Sequence, residues 1–527
     1  MDIATLKAGR KLLKEQTYEL KDLYRGYADR TLYINISDNT IKSKPVTQWM
    51  KDKFVGGKGF GLHYLWDAVT PETKWDDPEN EIVIAGGPIC GITQYAGTGK
   101  ALVCSISPLT DIPIDSNVGG YFGPYLKFAG WDALEIQGKA ENDVIVFIDG
   151  NKGIIRIEEA PLEAIDAHVL GEQLTEMYAD NEEDKKHIAV VTAGSAADHT
   201  RIGLLNFTFY DQRRKVARLK QAGRGGIGTV FRDKKIKALV IKFQGVTGDL
   251  NNAADVSVLN ETGIKYHRQM HDLDESQNNM RAIGTANIIE VMDQYDLLPT
   301  HNFKFGSHPD TKNIASTVFI DNYVTQGLPD GCWRGCSMAC AKAADNFELK
   351  SGPYKGDRVT IDGPEYENAA GLGSNCGIFC PEGILELNFY CDTYGIDTIS
   401  FGTLVAFVMD CYENGIINKE ITGGLELNFG NKEATFELIH QMSRGEGFGK
   451  IAGQGILRMK KIFAEEYGGD PDFLFDIGCE QKGLEYSEYL SKESLAQQGG
   501  YGFTNKGPQH DEAWLIFMDM INNQIPT

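Results

Sequence analysis

The sequence predicts an α+β protein in which a β-rich first region is followed by mainly helical ones, and three observations carry that prediction. Short apolar runs with strand character (EIVIAGG, KALVCSIS, DVIVFIDG, HIAVVTAG, IKALVIKF) recur between residues 82 and 243, separated by glycine-rich turns. Near residues 248–252 (GDLNN) the pattern changes. Beyond it, DVSVLNETGIKYHRQMHDL, TANIIEVMDQYDL, PEGILELNFYCDTYG and GTLVAFVMDCYENG show helical spacing punctuated by Gly and Pro. Length agrees, since 527 residues at roughly 150 per domain make about three to four domains.

Taken in order, residues 2–25 intersperse Lys and Glu with Leu6, Leu13, Tyr18 and Leu20, which predicts a charged amphipathic surface helix. DRTLYINISDNTIKSKPV alternates apolar and polar residues around Asp38-Asn39, the pattern of a hairpin. Between residues 82 and 243, helical spacing is weak outside segments such as 210–221. No internal repeat and no low-complexity stretch interrupts the chain.

Composition excludes several function classes. Fifty-two basic against 74 acidic side chains give a formal charge of −22, a field that repels nucleic acid and anionic lipid. No run of about eighteen apolar residues exists to span a membrane. The amino terminus lacks the uninterrupted apolar core of an export signal, which predicts a cytoplasmic protein. Ten cysteines in such a chain are read as reduced thiols or metal ligands, not as a disulfide framework.

Four glycine-rich turns carry or adjoin polar groups: GGKGFG at 56–61, GTGK at 97–100, NVGG at 117–120 and GRGGIG at 223–228. The last satisfies G-x-G-x-x-G, but a basic, helix-like stretch precedes it and a turn and strand follow, the reverse of a dinucleotide site. Lys100 is followed by Ala101, so the turn supplies no magnesium hydroxyl and is not a P-loop. Glycines let backbone N–H groups approach an anion, and Lys100 or Arg224 can neutralise phosphate, so together the turns suggest a phosphorylated cofactor.

Cys332, Cys336 and Cys340 stand four residues apart; on a helix they would share one stripe and could hold one metal cluster. Soft thiolates select iron–sulfur clusters or zinc, and the C-x2-C pairs of structural zinc are absent. The second gap breaks the radical-SAM spacing. A cubane needs four ligands, so a fourth must come from elsewhere. His267 and His271, at i and i+4, could share a metal, but a solvated helix face is the favoured reading.

Several segments together resemble the tungsten-dependent aldehyde ferredoxin oxidoreductase superfamily: GGKGFG, SNVGGYFGPYLKFAGWDALEIQGK at 116–139, GRGGIG, the cysteine cluster, GPEYE at 363–367, CDTYGIDTIS at 391–400, QKGLEYSEY at 481–489 and TNKGPQH at 504–510. The resemblance implies a β-rich pterin-base domain (27–247) after an N-terminal helical extension (1–26), a helical domain (248–479), and the start of a third helical domain (480–527). It implies tungsten held by two pyranopterins (tungstopterin), a [4Fe-4S] cluster near one pterin, and a bridging Mg2+. Residue by residue, Lys100 (where the family has Arg), Asn117 and Gly119 would contact pterin phosphates and Arg224 would neutralise them. The carbonyls of Asn117 and Gly225 would meet the magnesium ion. Asp392, Gly395, Ile396 and Asp397 match a D-x-x-G-L-C/D pterin motif with Ile in place of Leu, and Glu367 and His510 match the active-site pair. Cys332, Cys336 and Cys340 would ligate the cluster, although the family spacing is C-x2-C-x3-C. Cys376 is either a direct tungsten ligand or a buried core thiol. Cys479 could close the cluster but lies before the histidine turn, out of the family's order. The family's second pterin motif and fourth cysteine lie beyond that turn, so the sequence ending at Thr527 reads as a piece of a longer polypeptide.

Within the superfamily, TNKGPQHDEAWLIFMDM is most similar to active-site subunits of tungsten-dependent class II benzoyl-CoA reductases. That similarity implies reductive dearomatisation of an aromatic acyl-CoA, benzoyl-CoA, to a cyclic dienoyl-CoA in a strict anaerobe. It also implies a separate iron–sulfur electron-transfer subunit within a larger hetero-oligomer, with the amino-terminal helix as a docking element. The alternatives are an aldehyde oxidoreductase using ferredoxin and a non-catalytic electron-transfer or scaffold subunit.

Overall fold

The computed structural model describes residues 2–325, 330–491, 494–512 and 514–517, excepting the side chains of 277 and 278. The expected third region, 480–527, therefore lies partly outside the described residues. Up to residue 242 the strands are β1 (Lys11–Thr17), β2 (Arg30–Asn35), β3 (Thr40–Pro45), β4 (Ile82–Ala85), β5 (Ala101–Ile106), β6 (Pro113–Val118), β7 (Ala133–Gln137), β8 (Val144–Asp149), β9 (Ile154–Glu159), β10 (Ile188–Thr192), β11 (Leu205–Asp211), β12 (Val216–Ala222) and β13 (Ile236–Lys242). They build a six-stranded sheet in the order β3-β2-β7-β4-β5-β6 and a seven-stranded sheet in the order β1-β9-β8-β13-β10-β11-β12.

All five apolar runs become strands, and β4, β8, β10 and β13 are buried along their whole length. Continuous burial requires cover on both faces. The helix Ala167–Tyr178 covers one face of the seven-stranded sheet through Leu170, Leu174 and Met177 against Ile145, Val190 and Val240. The helix Lys58–Ala68 covers the six-stranded sheet through Phe60 and Tyr64. The wholly buried helix Phe122–Phe128 packs against strands of both sheets, as does the helix Ile227–Asp233. The hairpin expected around Asp38-Asn39 is β2–β3, with Asn39 left-handed at its turn.

Two expected helices are not formed. Residues 2–25 contain only the short helix Ile3–Ala8, and β1 then pairs antiparallel with β9. Along β1 the side chains are exposed or half-buried, so backbone pairing at the sheet edge, and not an apolar stripe, decides its conformation. Residues 210–221 form most of the β11–β12 hairpin, because the basic side chains of Arg218 and Lys220 point into buried carboxylates that only the tertiary structure supplies.

After residue 255 helices dominate, as expected. They include Val256–Leu273, Ile288–Gln294, Tyr366–Gly371, Pro381–Tyr394 and Thr398–Glu413, with β14 (Ala343–Glu348) and β15 (Arg358–Asp362) as a small antiparallel pair. The helix Thr398–Glu413 is buried from Ile399 to Cys411, so it is the central rod of this part of the chain. Among the described residues no helix is long and apolar enough to cross a membrane.

Candidate active site

The 332–340 segment is a loop, not the helix that would align its thiols. Turns occupy it, Gly335 (φ 75°) and Ala339 (φ 46°) are left-handed, and Asp330 and Cys340 close it through a parallel bridge. Trp333 anchors it. The indole is 3% exposed, its Nε1–H donates to the Ile92 carbonyl at 3.1 Å, and it meets Tyr121 edge-on with centroids 5.0 Å apart. Glycines on the first region let the loop approach: a Cβ on Gly99 would lie 2.3 Å from that of Trp333, and one on Gly119 would lie 2.8 Å from the Cys332 sulfur and 3.9 Å from Lys100 Nζ. Lys100, Gly119 and Cys332 are thus neighbours. Cys336 opens to a surface cleft of about 760 Å3 that His267, His271, Arg268 and Arg281 also line, and the His267 ring is hydrogen-bonded to Ser337. The two histidines line this surface cleft.

Around GRGGIG the local order is strand, glycine loop, helix: β12, then residues 223–226, then Ile227–Asp233. The expected reverse order is incorrect, yet the dinucleotide reading still fails, because β12 is an edge strand paired only antiparallel with β11. Gly225 (φ 84°) brings this loop against β6, where a Cβ would lie 2.3 Å from Ile114 Cδ1, and the Arg224 amide donates to Ser116 Oγ at 3.2 Å. Asn117 and Gly225 therefore sit on adjoining segments. The buried Arg224 guanidinium donates to the carbonyls of Glu485 (2.6 Å) and Pro508 (3.3 Å), the hydroxyls of Ser487 (3.3 Å) and Ser400 (3.4 Å), and the Asp397 carboxylate (3.2 Å). Such a side chain ties the glycine loop to the 397–400 helix start and to the 485–508 segments.

The D-x-x-G-I-D segment is the joint between two buried helices. Gly395 (φ 71°) ends Pro381–Tyr394, Ile396 bridges to Gly203, and Asp397 caps Thr398–Glu413 by accepting the Ile399 amide at 3.0 Å. Asp392 is buried and accepts from Asn388 Nδ2 at 3.2 Å. Burial, then the nearby Asp362, pushes its carboxyl well above the usual range. Lys220 Nζ donates to both Asp362 oxygens at 2.7 Å, and Arg218 joins Asp362 to Asp330 at the mouth of the cysteine loop.

Glu367, in the first turn of Tyr366–Gly371, and His510 are brought together across 143 residues of sequence. His510 Nδ1 lies 2.9 Å from Glu367 Oε1, an ion-pair distance without hydrogen-bond alignment, and 3.2 Å from Ser487 Oγ. The other oxygen, Glu367 Oε2, accepts the Glu488 amide at 2.9 Å. Burial opposes the His510 imidazolium, but the charges of Glu367 and Asp511 outweigh it and raise its pKa above 6.5. The His510 side chain is 37% accessible, whereas that of Glu367 is 12% accessible, so the pair joins a half-exposed ring to a nearly buried carboxylate. Its turn is pinned by Lys506, whose Nζ lies 2.8 Å from Asp115 and 2.9 Å from Asp511, while Lys58 adds a bond to Asp115 at 2.9 Å.

The donor set fits the groups the resemblance implies. Cys332, Cys336 and Cys340 are free, partly accessible thiols. Among the described residues no three Cys, His, Asp or Glu side chains converge on a single-ion site, and a cubane, whose irons occupy separate corners, takes thiols spaced more widely than one ion does. Cys376 is packed as a core thiol. Its buried thiol donates to the carbonyls of Gly371 (3.2 Å) and Gly402 (3.4 Å), and burial, then Glu488, pushes its pKa well up. Cys479 lies among Glu488, Asp410 and Lys460, apart from the cysteine loop. Sequence reasoning missed Lys220, Glu485, Glu488 and Lys506. The last three stand inside the segments QKGLEYSEY and TNKGPQH, which were the available signal.

The N-terminal domain of aldehyde ferredoxin oxidoreductase matches residues 31–243, and domains 2 and 3 of that enzyme match residues 261–527. The tungsten-containing aldehyde ferredoxin oxidoreductases of Pyrococcus horikoshii and Pyrococcus abyssi are 29% and 30% identical over 505 residues, covering 94% of this chain and 76% of their own. An aliphatic sulfonate oxidoreductase, WOR-like subunit, of Pyrococcus furiosus is 28% identical, covering 84% of this chain and 68% of its own. Among solved structures, the active-site complex BamBC of benzoyl coenzyme A reductase with 1,5-dienoyl-CoA shares the fold, with a TM-score of 0.70 at 21% identity, covering 88% of this chain and 66% of that one. The two domain matches account for nearly everything from β2 onward, and on them the chain belongs to the aldehyde ferredoxin oxidoreductase family.

Proposed function

We propose that this chain is the active-site subunit of a tungstopterin oxidoreductase that reductively dearomatises benzoyl-CoA to a cyclic dienoyl-CoA, drawing electrons from a separate iron–sulfur subunit. The observation that carries it is the Glu367–His510 pair itself, since adding electrons to an aromatic ring requires a proton donor, and a histidine 2.9 Å from a nearly buried carboxylate is one. Lys100, Gly119 and the backbone of the 223–226 loop would hold the pterin phosphates, with Asp392, Ile396 and Asp397 at the helix joint, and the carbonyls of Asn117 and Gly225 at Mg2+. Cys332, Cys336 and Cys340 would hold the cluster. When bound, the metal and cluster supply the low-potential electrons.

The chain's own residues manage the protons. Glu367 and Ser487 both address Nδ1 of His510, which leaves Nε2 as the nitrogen that donates to a substrate. Glu367 keeps the ring protonated above the ordinary histidine range. Arg224 ties Ser487 and Pro508 to the glycine loop and so fixes the ring relative to the pterin-binding segment. The cleft beside Cys336 is where an electron-transfer subunit would reach the cluster.

A second reading, oxidation of aldehydes to acids with ferredoxin as acceptor, is favoured by the 29% and 30% identity to aldehyde ferredoxin oxidoreductases. Anaerobically purified complex assayed with benzoyl-CoA or dienoyl-CoA, and with benzaldehyde plus a viologen dye, separates the two. We expect dienoyl-CoA to form from benzoyl-CoA; aldehyde turnover without ring reduction rejects the first reading.

A further inference from the structure

The segment 484–488 runs beside the helix Tyr366–Gly371 and brings a second carboxyl group to Glu367. Glu488 is 0% exposed, and its backbone N–H is the one that Glu367 Oε2 accepts. Its side chain turns under the same helix. A Cβ on Gly371, four residues after Glu367 and on the same face, would lie 2.7 Å from Glu488 Oε1. That oxygen accepts from the Thr403 hydroxyl at 2.8 Å, whereas Glu488 Oε2 is buried with no partner. Glu367 Oε1 likewise lacks an aligned hydrogen bond.

The groups facing Glu488 offer little to neutralise a negative charge. Tyr366, whose hydroxyl donates to the Glu488 carbonyl, Tyr489, Tyr501, Cys376 and Cys479 are neutral neighbours. Arg224 acts on it at longer range but is paired with Asp397, which opposes it. Burial, then the Glu367 charge, raises the Glu488 pKa well above the usual carboxylate range. A buried carboxyl without a cation, set beside a second carboxyl, favours its neutral form.

We propose that Glu488, buried under the helix of Glu367 with no cation paired to it, is held as a neutral acid, which leaves Glu367 as the carboxyl group that addresses His510. Glu488 is then a positioning residue that acts on His510 through Glu367. The inference deepens, and rests on, the assignment of Glu367 and His510 as the proton-handling groups.

Infrared difference spectra of the purified enzyme, wild type minus Glu488→Gln at pH 7, test it without any substrate, so the result does not depend on which reaction the enzyme catalyses. A protonated carboxylic-acid carbonyl band should be present in the wild type and missing from the variant. In a Glu367→Gln background, the Glu488 band should disappear at a pH lower by about one unit or more, because the like charge is gone. Glutamine keeps the shape and neutrality of the acid, and thermal unfolding of each variant checks the fold. Glu488 found as a carboxylate at pH 7, or a titration that Glu367→Gln leaves unmoved, overturns the proposal.

Discussion

Lys506 decides where His510 stands. Its side chain is 2% exposed and is shared between Asp115 on β6 and Asp511 beside the histidine, so one ammonium ties the histidine turn to the first region. Removing one partner of a buried ion pair leaves an uncompensated charge, at a typical cost of about 3 kcal/mol. Lys506→Met should destabilise by about that amount in denaturant titrations, less whatever Lys58 recovers by its own contact with Asp115. Lys58→Met, at a side chain 42% exposed, should cost much less. Glu367 and His510 were legible in sequence because each sits in a short motif. Lys506 lies inside the same TNKGPQH text, but its partner Asp115 is 391 residues away, and no local pattern states such a pairing.

At the scale of elements, glycines set how closely the two halves of the site approach. Gly395 and Gly194 meet backbone to backbone, and a Cβ on Gly395 would lie 2.5 Å from the Gly194 amide nitrogen. Gly225 meets a side chain, and its Cβ would lie 2.3 Å from Ile114 Cδ1. Both are left-handed, so alanine is strained at either, but only the isoleucine can move aside. Gly395→Ala should therefore cost about 3 kcal/mol or more and Gly225→Ala about 1–2 kcal/mol, read from chemical denaturation. The elements that sequence misassigned share one cause. β1 and the β11–β12 hairpin are specified by edge pairing and by distant carboxylates, while local periodicity reports only an apolar stripe. The cysteine loop failed as a helix because Trp333 is drawn into the first region between Tyr121 and Tyr125.

Over the whole molecule, acids are buried at the junction of the sheets and the helices, and their protons couple to stability. Burial raises Glu485 from 4.5 to about 7, outweighing the hydrogen bond it accepts from the Ile456 amide. The folded chain then binds this proton where the unfolded chain has released it. Stability from this group is full below pH 4.5 and falls as pH rises to about 7, by on the order of 3 kcal/mol. Glu485→Gln should remove that slope, so the difference in unfolding free energy between variant and wild type should grow from pH 4.5 to about 7 and then level off. A pH-independent difference over that window would show that Glu485 does not titrate there.

The sequence by itself determined the order of sheet-forming and helical regions, the glycine turns, the three cysteines and the candidate Glu367 and His510. These rest on local hydrophobic period and short motifs, which neighbouring residues fix. Tertiary structure alone decided which carbonyls and hydroxyls Arg224 meets, that the Cys376 thiol is buried against two backbone carbonyls, and that the Glu488 amide bonds Glu367. Each of these depends on which charges and carbonyls a side chain meets once segments hundreds of residues apart are buried together, where an unpaired polar group costs most.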